Sequence, residues 1–456
     1  MTNKEKKEEI QHKSQLIEYF ERGCKPQEKW GIGTENEKFL FYRSNFKRLS
    51  FNQQESGISD ILAQMQHNGW QPIFEGEKTI GLRKNGASIT LEPGGQFELS
   101  GENFRTIQET FIETRRHFEE LNTICRKYGF FSLPLGVDPL SAREEVPWVP
   151  KERYRWMKNY MPGKGELGLE MMTNTASIQV NLDYASETDM VKKTRVSQAL
   201  QPFVTAIFAN SPFSNGKPNG YLSYRSHIWN NTDPDRSGFL PFIFDDGFGF
   251  ERWVDYLLDV PMYFIFRNGN YFSANGLTFR KYFQGKHKLK PTMEDWETHI
   301  SSVFPDVRLK QFIEMRGADA SCASHIAALS ALWVGLLYDN QSLEEAYELI
   351  SGWDIGTVLE VRSQVPVKAL NAASGKLHAG NISKQIYRIA LEGLNRRAEL
   401  RGFENESRFL APVHEIVESG ITLAEMLLQR YHEKKENLPE LVYNWQKEQM
   451  EKCAKI

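Results

Sequence analysis

The sequence predicts an α+β fold: an antiparallel β-sheet with one polar working face, and helices packed against its other side. Three stretches predict it. In residues 175–183, Thr175, Ser177, Gln179, Asn181 and Asp183 alternate with Ala176, Ile178, Val180 and Leu182. A strand has a period of two, so one of its faces is wholly polar and the other wholly apolar. In residues 31–41, Glu35 and Glu37 stand two apart in an alternating run and leave the strand on the same face. Residues 312–316 repeat the theme, with Glu314 and Arg316 sharing a face.

The other elements follow in order. Residues 5–23 read as an amphipathic helix ending near Gly23, and 57–68 as a second helix. The alternating runs 80–83 and 87–92 flank Asn85-Gly86, a dipeptide suited to the positive φ angles of a two-residue hairpin turn. Pro93-Gly94-Gly95 turns the chain into strand 96–100, and 103–128 forms a long helix. A helix over 186–210 leads through a loop rich in Pro, Gly and Asn to a strand-like segment, 221–229. From about 323 onward the pattern is helical, over 324–338, 342–351, 382–400 and 421–432. No repeat or linker marks a boundary, so residues 1–456 are expected to form a single domain with a helical C-terminal part.

Composition narrows the function classes. With 56 Lys+Arg against 59 Asp+Glu, the net charge of -3 argues against nucleic acid or an anionic membrane as partner. No apolar run approaches the roughly 20 residues that span a bilayer. The first ten residues are charged and resemble neither a secretory signal nor a transit peptide. Cys24, Cys125, Cys322 and Cys453 are scattered, without metal-ligand or disulfide-framework spacing. A reducing, cytoplasmic setting is expected, as either a monomer or a homodimer.

The polar strand faces offer Glu35, Glu37, Glu92 or Glu98, Gln96, Gln179, Asn181 and Glu314. Such an oxygen-rich surface suits Mg²⁺ and not zinc. Mg²⁺ held by few protein ligands completes its shell with water and phosphate oxygens, which implies a nucleoside triphosphate. Arg225, Arg316 and either Lys38 or Lys164 are candidates for phosphate or carboxylate contacts. No Walker-type loop and no Gly-x-Ser-x-Gly elbow occurs. His227 is read as a structural hydrogen-bonding residue.

These residues carry a family resemblance. The segments 33–39 (GTENEKF), 88–101 (SITLEPGGQFELSG), 179–183 (QVNLD), 208–213 (FANSPF), 226–229 (SHIW), 259–264 (DVPMYF), 314–319 (EMRGAD) and 333–339 (WVGLLYD) resemble glutamate–cysteine ligases of the plant and proteobacterial type, in order and over nearly the whole chain. The resemblance implies a fold like that of glutamine synthetase and the carboxylate–amine ligases. It implies ATP- and Mg²⁺-dependent joining of the L-glutamate γ-carboxylate to the L-cysteine amine through a γ-glutamyl phosphate, the first step towards glutathione. By position, Glu35, Glu37, Glu98 and Glu314 match the family's metal ligands, and Gln179 a neutral ligand completing the set. Arg225 and Tyr263 match glutamate-pocket positions, and Ser177 stands where plant enzymes have Thr. Arg316, with Lys38, is expected at the nucleotide phosphates, and Arg316 and Arg225 as the catalytic cations.

The chain also departs from the family pattern. Asn174 replaces an Arg at the expected substrate pocket, and residues 320–325 (ASCASH) replace a Gly-Gly-Pro-Trp-Arg-Arg segment. The paired regulatory cysteines of the plant enzymes are missing, Ala274 standing at one position and the region of Leu289 at the other. These changes leave open a ligase of the same mechanism with another amine acceptor or carboxylate donor, its acceptor pocket formed by 320–325.

Overall fold

The computed structural model describes residues 8–51, 56–402, 404–434 and 436–453. At its centre lies strand β1 (Ile32–Tyr42), long enough to pair with three neighbours. The sheet is completed by β2 (Gln71–Glu75), β3 (Lys78–Lys84), β4 (Ala87–Leu91), β5 (Phe97–Ser100), β6 (Phe130–Leu133), β7 (Ser177–Leu182), β8 (Val307–Leu309) and β9 (Ile313–Asp319). Its order is β8-β9-β7-β1-β5-β4-β3-β2, with β6 pairing the far half of β1, and every pairing is antiparallel. The β3–β4 hairpin turns at Asn85, which takes a φ of 52°.

The apolar strand faces bury Phe97, Ile178, Val180 and Leu182 completely. Three helices cover that side: α1 (Ile107–Tyr128), α3 (Glu187–Ile207) and α5 (Ala323–Leu337). Helix α1 starts where Thr106 and Glu109 cap each other's backbone, and ends at Gly129 in the left-handed region, φ 70°. Every residue of α5 is buried, the signature of a helix surrounded by protein on all sides. Two further helices matter for the site: α2 (Gly168–Asn174) and α4 (Tyr224–Asn230). Around α5 pack α6 (Ala379–Arg401) and the terminal α7 (Leu438–Cys453).

The segment 221–229, expected as a strand, forms α4 instead. The Ser223 hydroxyl caps its first turn by accepting from the Ser226 N–H, and Arg225 and Ile228 are buried at helical i, i+3 spacing. Polar alternation over so few residues does not separate the two periods. The first helix spans Lys13–Glu21, shorter than expected, and part of the expected range lies outside the described residues. Helices Phe250–Asp259, Ile355–Lys368, Ala411–Ser419 and α7 were not foreseen.

Beyond the sheet edge, His299 is buried beside the Leu257 carbonyl, 2.8 Å from Nε2, and burial lowers its pKa to about 4. A base whose folded pKa lies below its unfolded value of about 6.5 must lose stability as pH falls through that interval. Between pH 6.5 and 4 this histidine is expected to cost the fold on the order of 3 kcal/mol. Urea unfolding of wild type and H299Q across that range checks it: the variant is expected to show the shallower acid slope, and parallel slopes would contradict the assignment.

Candidate active site

Strand register brings the polar side chains together. Glu37 lies opposite Glu98, Glu98 opposite Thr90, and Glu35 opposite Gln179. Asn181 lies between Gly33 on one side and Glu314 on the other. Glu92 follows β4 on the same parity as Thr90 and repels both Glu37 and Glu98. The face therefore holds Glu35, Glu37, Glu92 and Glu98 together, where the sequence set Glu92 and Glu98 as alternatives. The parity of 87–92 already carried that signal.

The carboxylates fall into two electrostatic classes. Burial, and then Glu92, push the Glu37 carboxyl up to about 7, against the pull of Arg225 and of the Ser177 N–H. Glu98 is held well above the usual range by burial and by Glu35, Glu92 and Glu37. Glu314 goes the other way. Burial would raise it, but Arg308, Lys310 and Arg316 together hold it well below the usual range. Arg308 grips both of its oxygens at 2.6 and 2.9 Å, Lys310 lies at 3.2 Å and Arg316 at 2.8 Å. Glu314, expected from the sequence as a metal ligand, is thus held by three cations of the chain itself.

Arg316 shares the polar face with Glu314 by strand parity, and a β-bulge begins beside it. Between Met315 and Ala318 the register with β7 shifts, and two residues of β9 face one of β7. On that face Arg316 Nη1 donates to Gln179 Oε1 as well as to Glu314. Gly317 is pressed onto α3, where any Cβ would lie 2.3 Å from Gln201 Nε2 and 2.7 Å from Thr205 Oγ1. Gln179 Nε2 in turn donates to Ser177 Oγ (3.1 Å). The Ser177 N–H and hydroxyl donate to Glu37 at 2.8 and 3.2 Å, and Asn181 donates to Glu35 at 3.1 Å.

Arg225 enters from α4. Its Nη2 donates to the Arg316 carbonyl (2.8 Å), while its buried Nε meets no acceptor among the described residues. Asp319, wholly buried and missed by the sequence reading, fixes this helix. It accepts from the Asn210 N–H, Ser211 Oγ and the capping Ser223 Oγ at 2.9, 2.6 and 2.9 Å.

The remaining expected residues have varied settings. Lys38 is on the opposite face of β1, fully buried with Nζ 2.9 Å from His117 Nε2 and above the Phe118 ring, so it reaches no nucleotide on the carboxylate side. The reason is the strand period itself: Lys38 shares parity with Asn36, not with Glu37. Lys164 pairs with Asp235 (2.6 Å). Gln96 pins the end of α2, donating to the Met172 and Thr175 carbonyls. Tyr263 is buried, its ring edge-on to Tyr160 and stacked on Arg236, its hydroxyl 4.0 Å from Met161 Sδ. Asn174 closes α2 with its buried Oδ1 unbonded among the described residues. His227 stacks on Tyr221, as a structural residue does. Cys322 and Ala323 line a cavity against α1 and α7 on the helix side, so they form no pocket on the carboxylate face.

The donor chemistry suits Mg²⁺: the clustered groups are all oxygen donors, and two of the carboxyls are displaced upward by burial and by the neighbouring carboxylates. Among the described residues no group of three acidic, His or Cys side chains encloses a metal by itself.

Comparison with known proteins adds identity to this geometry. A family model described as glutamate–cysteine ligase family 2 matches residues 31–444. The chloroplastic glutamate–cysteine ligase of Brassica juncea is 45% identical over 421 residues, covering 91% of this chain and 80% of that one. The chloroplastic enzyme of Medicago truncatula is 43% identical over 95% of this chain and 84% of its own length. A glutamate–cysteine ligase from Francisella tularensis, solved in complex with AMP, superposes with a TM-score of 0.52 at 10% identity, over 93% of this chain and 89% of that one. The last likeness shows the fold. The cytoplasmic setting expected from the sequence is overturned by these relatives, which are chloroplastic. Scattered thiols fit any reducing compartment and distinguish none.

Removing Arg308 strands a buried carboxylate, which costs about 3 kcal/mol when a buried pair loses one partner. R308A is expected to show that loss in urea unfolding, and R308A/E314Q to recover much of it; equal losses in the two would contradict the ion-pair account.

Proposed function

The chain belongs to glutamate–cysteine ligase family 2, and from that premise we propose that it joins the γ-carboxylate of L-glutamate to the amine of L-cysteine at the expense of ATP, making γ-glutamylcysteine for glutathione synthesis. The supporting observation is the family match over residues 31–444, with the carboxylate face inside it. A ligase for a different amine is not favoured by these relatives, and two residues of the segment that suggested it, Cys322 and Ala323, line a cavity on the helix side of the sheet. We read the chain as one catalytic unit, its helical part after about residue 323 backing the sheet.

In this reading the glutamate carboxylate attacks the γ-phosphorus of ATP, the bond to the β-phosphate oxygen breaks, and ADP leaves. The cysteine amine then attacks the acyl carbon of the γ-glutamyl phosphate, loses a proton, and displaces phosphate. Two anions must meet in the first step, so the site has to offset their repulsion. Glu35, Glu37, Glu92 and Glu98, with the Gln179 amide, would hold Mg²⁺, which when bound screens the phosphates and stabilises charge on the transferring group. Arg316, locked between Glu314 and Gln179, presents a fixed positive charge at the rim of that cluster. Arg225 keeps an unused N–H for a substrate carboxylate. Both line a narrow pocket of about 30 Å³ with Trp229, Phe304 and Arg362. Ser177 holds the Glu37 carboxylate in place by two hydrogen bonds. Asn174 and Tyr263 are proposed to shape the substrate pocket from its wall, Asn174 through an oxygen left free to accept.

Mass spectrometry of products from ATP, Mg²⁺, L-glutamate and a panel of amines tests the reading. A dominant γ-glutamylcysteine product with one ADP per turnover is expected. A different adduct, or ADP release independent of any amine, would overturn it.

A further inference from the structure

Three of the chain's four cysteines, Cys125, Cys322 and Cys453, line one cavity of about 350 Å³ between α1, α7 and the start of α5. It opens on the helix side of the sheet, away from the carboxylates, and the ligation chemistry uses none of these thiols. Cys322 is the N-cap residue of α5, where unpaired backbone N–H groups favour a thiolate. His325 Nδ1 lies 3.3 Å from its sulfur and Ser324 Oγ also 3.3 Å. Cys453, in the last turn of α7, donates to the same Ser324 hydroxyl at 3.1 Å and is in hydrogen-bonding contact with Cys322. That contact, with His325 and Ser324, holds the Cys322 thiol well below its usual range, and pushes Cys453 up. One thiol is poised to attack and its neighbour to resolve. Around the apolar floor formed by Phe118 and Phe130, the cavity carries Arg126, Lys447 and Glu451, counter-charges for a ligand bearing both carboxylates and an ammonium.

We propose that Cys322 and Cys453 form a thiol–disulfide exchange site that accepts a low-molecular-weight disulfide of the amino-acid or short-peptide class. The Cys322 thiolate attacks one sulfur of the small disulfide, whose S–S bond breaks and whose first thiolate leaves and takes up a proton. Cys453 then loses its proton and attacks Cys322 Sγ in the mixed disulfide, expelling the second small thiol. Two protein thiols are oxidised to one disulfide, and one small disulfide is reduced to two thiols. The new bond staples the last helix to a point three residues beyond Asp319, the residue that fixes the Arg225 helix.

Reduced full-length protein is incubated with glutathione disulfide and mapped by peptide mass spectrometry. A Cys322–Cys453 link is expected to form about tenfold or more faster than an adduct at the partly exposed Cys24. C453S is expected to trap a glutathione adduct on Cys322, C322S to leave Cys453 unmodified, and oxidation of wild type to raise Tm by several degrees. Cys322 still alkylatable after Cys24 has reacted, or a link from Cys322 to Cys125, would overturn the proposal. Should a serine variant not fold, the wild-type rates decide alone. Because the product panel is run on reduced protein, failure here leaves the ligase reading standing.

Discussion

The active face depends on the pairing of β1 between β5 and β7, which forces like charges into one another's company. Glu37 meets Glu98 across one seam, while Glu35 meets Gln179 across the other. Carboxylates directly opposite on a sheet repel, and partial burial denies them water. The chain bears this cost with little relief from its own cations: Arg225 and Arg316 lie near enough to influence Glu37, yet its carboxyl still sits at about 7. A face built this way has excess affinity for positive charge, and that excess is the resource a phosphoryl-transfer site needs.

Glu314 shows what the same strand does when charge is matched internally. Two guanidiniums and an ammonium saturate it, and its carboxyl is driven down instead of up. This buried cluster mounts Arg316. Beside the bulge at 316–317, where Gly317 lies against α3, Glu314 and Gln179 fix where the guanidinium points. Asp319 performs the matching task for Arg225 by holding the N-cap of α4. One strand, β9, thus supplies a carboxylate that helps to position each arginine.

Much of this was legible in the sequence because strand parity is a local property. Residues 35, 37, 177, 179 and 181 share a face by counting alone, and the structure brings them together. Lys38 was misplaced where parity was set aside in favour of charge type. Glu92 was set against Glu98 as an alternative, although both parities were readable. What was not legible depends on contacts between distant segments. The saturation of Glu314 requires β8 to fold back on β9, and the anchoring by Asp319 joins residues from 210, 211 and 223. The α4 segment was too short for its period to separate helix from strand.

Adjacent residues on opposite faces give the most direct test of the account. Turnover of E37Q and K38M should be measured side by side, at a temperature where thermal melts show both variants folded. The account predicts that E37Q loses at least about 100-fold, through lost charge stabilisation at the metal, while K38M stays within a few-fold of wild type. K38M falling as far as E37Q, or E37Q turning over normally, would place the reaction somewhere other than the carboxylate face.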